Sequence, residues 1–108
     1  MSARFRQPPW ESKKLRDSAR GKDCAGHSDW CNGDSNTTVW AHSNWSEHGK
    51  AMGGKSHDIF GAYLCSACHY WYDTASKQEG FSNDLRRRWF QTAHDRSLLI
   101  AVQTGVLK

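Results

Sequence analysis

Four cysteines in two widely separated pairs constrain this 108-residue chain more than any other feature. Cys24 and Cys31 form the first pair, and Cys65 and Cys68 form the second, within the run Cys65-Ser66-Ala67-Cys68. Thiolates are soft anionic ligands, and four of them complete the tetrahedral shell of Zn²⁺ with no position left open for a substrate. We therefore predict one structural zinc site that ties two distant loops together in a chain too short for a large core.

Two alternative uses of the cysteines remain open from the sequence. Two disulfides would suit an extracellular protein, but the N-terminus lacks the apolar segment of a secretory signal and no stretch is apolar enough to span a bilayer. We therefore expect a cytoplasmic protein that binds metal. Cys65 and Cys68 alone would suit a redox dithiol at a helix N-terminus, but that use leaves Cys24 and Cys31 without a role. The six residues between Cys24 and Cys31 exceed the usual spacing of about two to four.

Positive charge is concentrated at the N-terminus. Residues 1–22 carry seven Lys or Arg against two acids, whereas the whole chain has a net charge of +4. We predict a basic arm over residues 1–21, partly disordered or a short helix ended by Gly21, and a zinc-braced domain over residues 22–108. Such an arm suits attraction to a polyanion, although a solvated tail that keeps the protein soluble would have the same composition.

The residue pattern predicts an α+β fold. Residues 37–41 are β-branched and aromatic, which indicates a strand that delivers His42 at its end, and residues 59–64 indicate a second strand after a long loop. A helix should begin at Ser66 or Ala67 and reach about Ser76. After Gly80, Ser82 is a candidate N-cap for a long C-terminal helix that closes the domain near Gly105.

Three side chains expected around the zinc site suggest hydrolytic chemistry. His69 and Asp73 lie four residues apart on one predicted helix face, where an imidazole and a carboxylate can bind one divalent ion that stays open to water and phosphate. His42 would then take a proton from the attacking water. Each residue alone also fits a purely structural role, in which His69 supports the zinc site and Asp73 lies on the solvent-exposed surface of the helix.

Several segments resemble the HNH, or ββα-metal, nuclease motif, and more closely the small phage and prophage nucleases of the YbcO type. The resemblance covers most of residues 12–108 and is carried by residues 18–24, 41–44, 48–50, 55–58 and 65–69. It implies a small ββα-metal fold and a Mg²⁺- or Mn²⁺-dependent cleavage of DNA in the bacterial host.

The resemblance also implies roles for individual residues. His42 would be the general base, Asn44 or Asp58 would orient it, and His69 and Asp73 would bind the catalytic ion. Because Ala41 stands where the family often has Asp or His, Asp58 or another loop residue would complete the ligands, or His42 itself would bind the ion. The candidate extra ligands are His48 and His57.

Nucleic-acid contact is expected from residues close in sequence to this site. The candidates are Lys50, Lys55, Arg86, Arg87 and Trp45. A run of arginines on a helix is also typical of a face that is only exposed to solvent. The chain is therefore expected to be a metal-dependent DNA endonuclease, with a non-catalytic zinc-binding module for DNA or protein contact in phage replication or recombination as the alternative.

Overall fold

The computed structural model describes residues 11–28, 31–43, 57–75 and 80–107. These residues form a small α+β fold with a two-stranded sheet and a long C-terminal helix. The elements in chain order are α1 (Lys13–Asp17), β1 (Val39–His42), β2 (Gly61–Leu64), α2 (Ser66–Tyr70) and α3 (Asn83–Gln103). A short 3-10 turn (Ser35–Thr37) precedes β1, and a π-helical turn (Trp71–Ala75) continues α2.

The two strands pair in an antiparallel register that sets His42 opposite Gly61 and Trp40 opposite Tyr63. Gly61 is required because the Trp40 indole lies over it: an added Cβ would come 2.3 Å from Trp40 Nε1. The same indole N–H donates to the backbone oxygen of Asp58 at 2.6 Å. The start of β2 is therefore fixed against the end of β1, where His42 lies.

The outer edge of β2 is covered by backbone and side-chain partners. His94 Nδ1 donates to the Gly61 oxygen at 2.6 Å, and Ser97 Oγ accepts the Tyr63 N–H at 2.8 Å. The Tyr63 oxygen accepts the Ala25 N–H at 2.7 Å. Because buried backbone groups need partners, these contacts explain why two polar residues of α3 face the core.

Helix α3 begins as the sequence predicts, with Ser82 Oγ accepting the Leu85 N–H at 3.1 Å. Its buried face is not formed by every apolar residue of the helix, since Leu85 is 51% exposed. The residues of α3 that are buried include two polar ones, and the set is Phe90, Ala93, His94, Ser97 and Ala101. The hydrogen-bonding needs of β2, in addition to apolar burial, determine which face of α3 turns inward.

Helix α1 is packed into the folded unit. Leu15 is fully buried, Ala19 is nearly so, and Ser18 Oγ bonds the Tyr63 hydroxyl at 2.7 Å. Ser12 caps the helix by accepting the Leu15 N–H. The part of the expected basic arm that the structure describes, residues 11–21, thus includes a helix that shares the core with β2.

Candidate functional site

The four cysteines predicted to bind zinc lie together. One ligand atom from each of Cys24, Cys31, Cys65 and Cys68 falls within 4.8 Å of the others. The Sγ atoms of Cys31 and Cys65 are 3.8 Å apart, which equals the sulfur separation of about 3.8 Å in a tetrahedral Zn²⁺ site with Zn–S bonds of about 2.3 Å. All four are free of disulfides. The donor set and its spacing therefore fit a zinc ion.

Local hydrogen bonds support thiolates at this cluster. The Gly26 N–H donates to Cys24 Sγ, and the Cys68 N–H donates to Cys65 Sγ, which caps α2. Ser28 Oγ lies 3.1 Å from Cys68 Sγ. Residues on both sides of the cluster thus contribute polar hydrogens to sulfur.

Three of the four clustered thiols have shifted proton affinities. The contact with Cys68 lowers the pKa of Cys24 to about 4 against the opposing effect of burial, while the same contact and burial raise the pKa of Cys68. Burial, with the nearby charge of Cys24, also raises the pKa of Cys31. One thiolate forms readily but opposes the ionisation of its neighbours, and a bound positive ion would relieve that repulsion among four thiolates.

His42 makes a direct contact with Asp58. Nε2 of His42 lies 2.6 Å from Oδ1 of Asp58, and the His42 side chain is 34% exposed. In the tautomer that carries its proton on Nε2, the imidazole donates to this carboxylate and keeps its lone pair on Nδ1. The strand end therefore presents an oriented imidazole to a surface that water can reach.

Asp58 is held by two further donors that the sequence did not reveal. The Ser12 N–H donates to Oδ2 at 2.6 Å, and Arg16 Nε lies 3.2 Å from the same oxygen. Burial alone would raise the pKa of Asp58, but the hydrogen bonds from His42 and Ser12, with the charges of His42 and Arg16, lower it. Asp58 thus stays ionised near neutral pH and joins α1 to the end of β1.

His69 and Asp73 form a second pair. Nε2 of His69 lies 3.0 Å from Oδ2 of Asp73, and both side chains are partly exposed. The Asp73 carboxylate raises the pKa of His69 against the opposing effect of burial. The predicted placement on one helical face is therefore present, although the second residue belongs to the π-helical turn.

The structure brings eight of the predicted residues into two hydrogen-bonded pairs and one sulfur cluster. Within the described ranges, the cysteines are the one group of three or more His, Cys, Asp or Glu ligand atoms close enough to share an ion. His57 packs against the Phe60 ring, and its role as an extra ligand stays a prediction.

The remaining candidates are divided between α3 and the undescribed loop. Arg86, which is partly buried, contacts Asn83 within the first turn, while Arg87 is exposed. Five candidates lie outside the described residues, and these are Asn44, Trp45, His48, Lys50 and Lys55.

Ser12, Arg16 and Trp40 were missed as partners of Asp58. Their contacts with Asp58 span 46, 42 and 18 residues of sequence, so no local spacing marks them. The N-cap character of Ser12 was the available signal, since it places the start of a helix there.

No helix in the described parts of the chain has both the length and the apolarity needed to cross a membrane.

Comparisons with known proteins relate the chain to one family. The model of the family described as "Putative nuclease YbcO" matches residues 13–106, so the match begins with α1. A solved structure described as a "putative bacteriophage protein" from Escherichia coli strain K-12 substrain MG1655 is 26% identical, with a TM-score of 0.62. That match covers 85% of this chain and 100% of the other. No curated protein matches. Because the family model spans most of its length, the chain belongs to the YbcO family.

Proposed function

We propose that this protein is an HNH-type, metal-dependent endonuclease that hydrolyses phosphodiester bonds of DNA in a phage-infected or prophage-carrying bacterial cell. The observation that carries the proposal is the contact between His42 and Asp58 at the end of β1. It is supported by the helix after β2, which carries His69 and Asp73, and by membership of a family described as nucleases.

The cysteine cluster supplies the structural part of the proposal. Cys24, Cys31, Cys65 and Cys68 would hold Zn²⁺, joining the loop before β1 to the start of α2. Two side-chain contacts already reinforce that junction, because Thr37 Oγ1 accepts the Ser66 N–H and Asn32 Nδ2 donates to Ser66 Oγ. The cluster fixes α2, and therefore its His69, relative to the sheet.

His42 acts as the general base in this proposal. Asp58 fixes the proton on Nε2, so Nδ1 accepts a proton from water as that water attacks the phosphorus. Because Asp58 also accepts from Ser12 and Arg16, it holds the imidazole in one orientation and stabilises the imidazolium that forms. Proton transfer by a positioned base contributes about 10²–10⁴-fold to rate.

His69 and Asp73 would hold the catalytic Mg²⁺ or Mn²⁺. Their ligand atoms already lie 3.0 Å apart and are partly exposed, so one ion can replace the hydrogen bond between them. When bound, that ion supplies charge stabilisation for the scissile phosphate and the leaving oxygen. Ala41 is buried and adds no ligand from β1, so the proposal leaves Asp58, His48 or His57 to complete the shell.

DNA is the proposed partner. Arg86 and Arg87 in the first turns of α3, and Lys50, Lys55 and Trp45 in the undescribed loop, are the proposed contacts with the backbone and bases.

Nicking of supercoiled plasmid by the purified full-length protein, with Mg²⁺ or Mn²⁺ and no chelator, tests the proposal. Wild type should convert supercoiled plasmid to open circles, and His42→Ala should lower the rate by about 10²-fold or more. His27→Asn is the matched control: His27 is exposed, and asparagine tolerates its left-handed backbone (φ 51°). Equal nicking by His42→Ala and wild type would refute the base assignment. DNA binding without any nicking would favour the alternative function, a non-catalytic zinc-binding module.

A further inference from the structure

A cleft of about 500 Å³ lies between α1, the turn after it and β1. Arg16 and Arg20 line one side, and Thr38, Val39 and Trp40 line the other. None of the four cysteines, His69 or Asp73 lines this cleft, which is therefore separate from both proposed metal sites.

The uncompensated charge of the cleft is positive. Arg20 is exposed and makes no ion pair within the described part of the chain. Arg16 contacts Asp58 through Nε, so its terminal nitrogens remain available as donors. Asp17 also lines the cleft, but its carboxylate is paired with Lys13. Two arginines therefore line the cleft, and guanidinium donors match the oxygens of a phosphate.

Thr38 adds a neutral donor on the other side of the cleft. The residue is 3% exposed, and its Oγ1 has no hydrogen-bond partner among the residues that the structure describes. Leaving a buried hydroxyl without a partner opposes folding, so such an atom beside a cleft calls for an explanation. A ligand oxygen that enters the cleft would provide its partner after a small local adjustment.

We propose that this cleft binds a phosphate of the nucleic-acid backbone through Arg16, Arg20 and Thr38. The choice of nucleic acid as the source of the phosphate rests on the proposed function. It is favoured by Arg16, which touches both the cleft and the Asp58 carboxylate that holds His42. One side chain thus links the anchoring of the substrate backbone to the orientation of the base.

Binding measurements separate this proposal from catalysis. The probe is a fluorescein-labelled DNA duplex of about 20 base pairs, followed by anisotropy without added Mg²⁺ or Mn²⁺ and at several salt concentrations between about 50 and 200 mM. Arg20→Ala should weaken binding and reduce the slope of log K against log salt by about 0.9, the value for one phosphate contact.

Lys14→Ala is the control for net charge. Lys14 belongs to the same helix but reaches Gly105 and is absent from the cleft lining. Its loss should leave the salt slope at the wild-type value. Equal changes of slope in Arg20→Ala and Lys14→Ala, or no change in either, would overturn the proposal.

Thr38→Val separates binding from folding. The substitution keeps the side-chain shape and removes a hydroxyl without a partner, so the melting temperature should stay the same or rise. DNA affinity should fall about two- to tenfold with an unchanged salt slope, because one neutral hydrogen bond is lost. Unchanged affinity would remove Thr38 from the site.

Inorganic phosphate at matched ionic strength is the second probe. One result would assign the cleft to a free anion and overturn the proposal: phosphate raises the melting temperature of wild type but not of Arg20→Ala, while both proteins bind DNA equally well. Cleft-dependent DNA binding without nicking would refute only the nuclease function. Nicking with an affinity independent of Arg20 and Thr38 would refute only the cleft.

Discussion

Asp58→Asn should destabilise the protein far more than the loss of one negative charge would suggest. The Asp58 carboxylate is 5% exposed and accepts from Ser12 N, His42 Nε2 and Arg16 Nε. Asparagine keeps one accepting oxygen and turns an amide donor toward the remaining donors. Hydrogen bonds to charged groups contribute about 1.5–3 kcal/mol each, and the Arg16 pair counts less because that side chain is 41% exposed.

We expect a total loss of about 3 kcal/mol, which lowers the melting temperature by about 10–20 °C in a domain of this size. Circular dichroism during heating and urea titration measures both quantities. Asp17→Asn is the matched control, because its exposed pair with Lys13 contributes only about 0.3–0.5 kcal/mol. Equal losses in the two variants would refute the interpretation that Asp58 is the junction between α1 and β1.

The effect should depend on pH with a definite sign. The folded protein lowers the pKa of Asp58, so folding is favoured by its ionisation above the unfolded pKa, and this stability is lost as pH falls through the folded pKa. The difference in stability between wild type and Asp58→Asn should therefore be full above about pH 5 and shrink below about pH 4. A difference that persists undiminished in acid would contradict the ionised state of Asp58.

Three further predictions address the zinc site, the edge of β2 and the hairpin. Cys68→Ser, or a zinc chelator added to wild type, should abolish bound zinc measured by mass spectrometry and lower the melting temperature; full retention of both would contradict a structural ion. Ser97→Ala should cost about 1–3 kcal/mol in urea unfolding because the Tyr63 N–H loses its partner, and a neutral result would count against that contact. Gly61→Ala should disrupt the hairpin by pushing a methyl group into Trp40, with a loss of indole burial visible by fluorescence; unchanged emission and stability would refute the close packing.

The features that the sequence predicted correctly depend on local chemistry. The Ser82 cap needs only its own helix, and the strand that ends at His42 needs only a short β-branched and aromatic run. Convergence of the cysteines could be predicted although the pairs are distant, because the preference of zinc for four thiolates supplies a long-range rule.

The features that sequence reasoning missed depend on pairing between distant segments. Arg16 looked like one of many basic residues near the N-terminus, and only the folded chain shows that it contacts Asp58. His94 and Ser97 are polar, yet they lie on the buried face of α3 because they form hydrogen bonds with the backbone of β2. A search for apolar residues at helical spacing does not find such positions. The catalytic roles of His42, His69 and Asp73 stay predictions.

Anomalous diffraction from crystals of the full chain grown with Mn²⁺ tests most directly whether the protein has a catalytic ion distinct from its structural one. Data at the zinc and manganese edges distinguish the two metals. We predict a zinc signal among the four Sγ atoms and a separate manganese signal bound by His69 Nε2 and Asp73 Oδ2. A zinc signal at the cysteines with no manganese at His69 and Asp73 would contradict it.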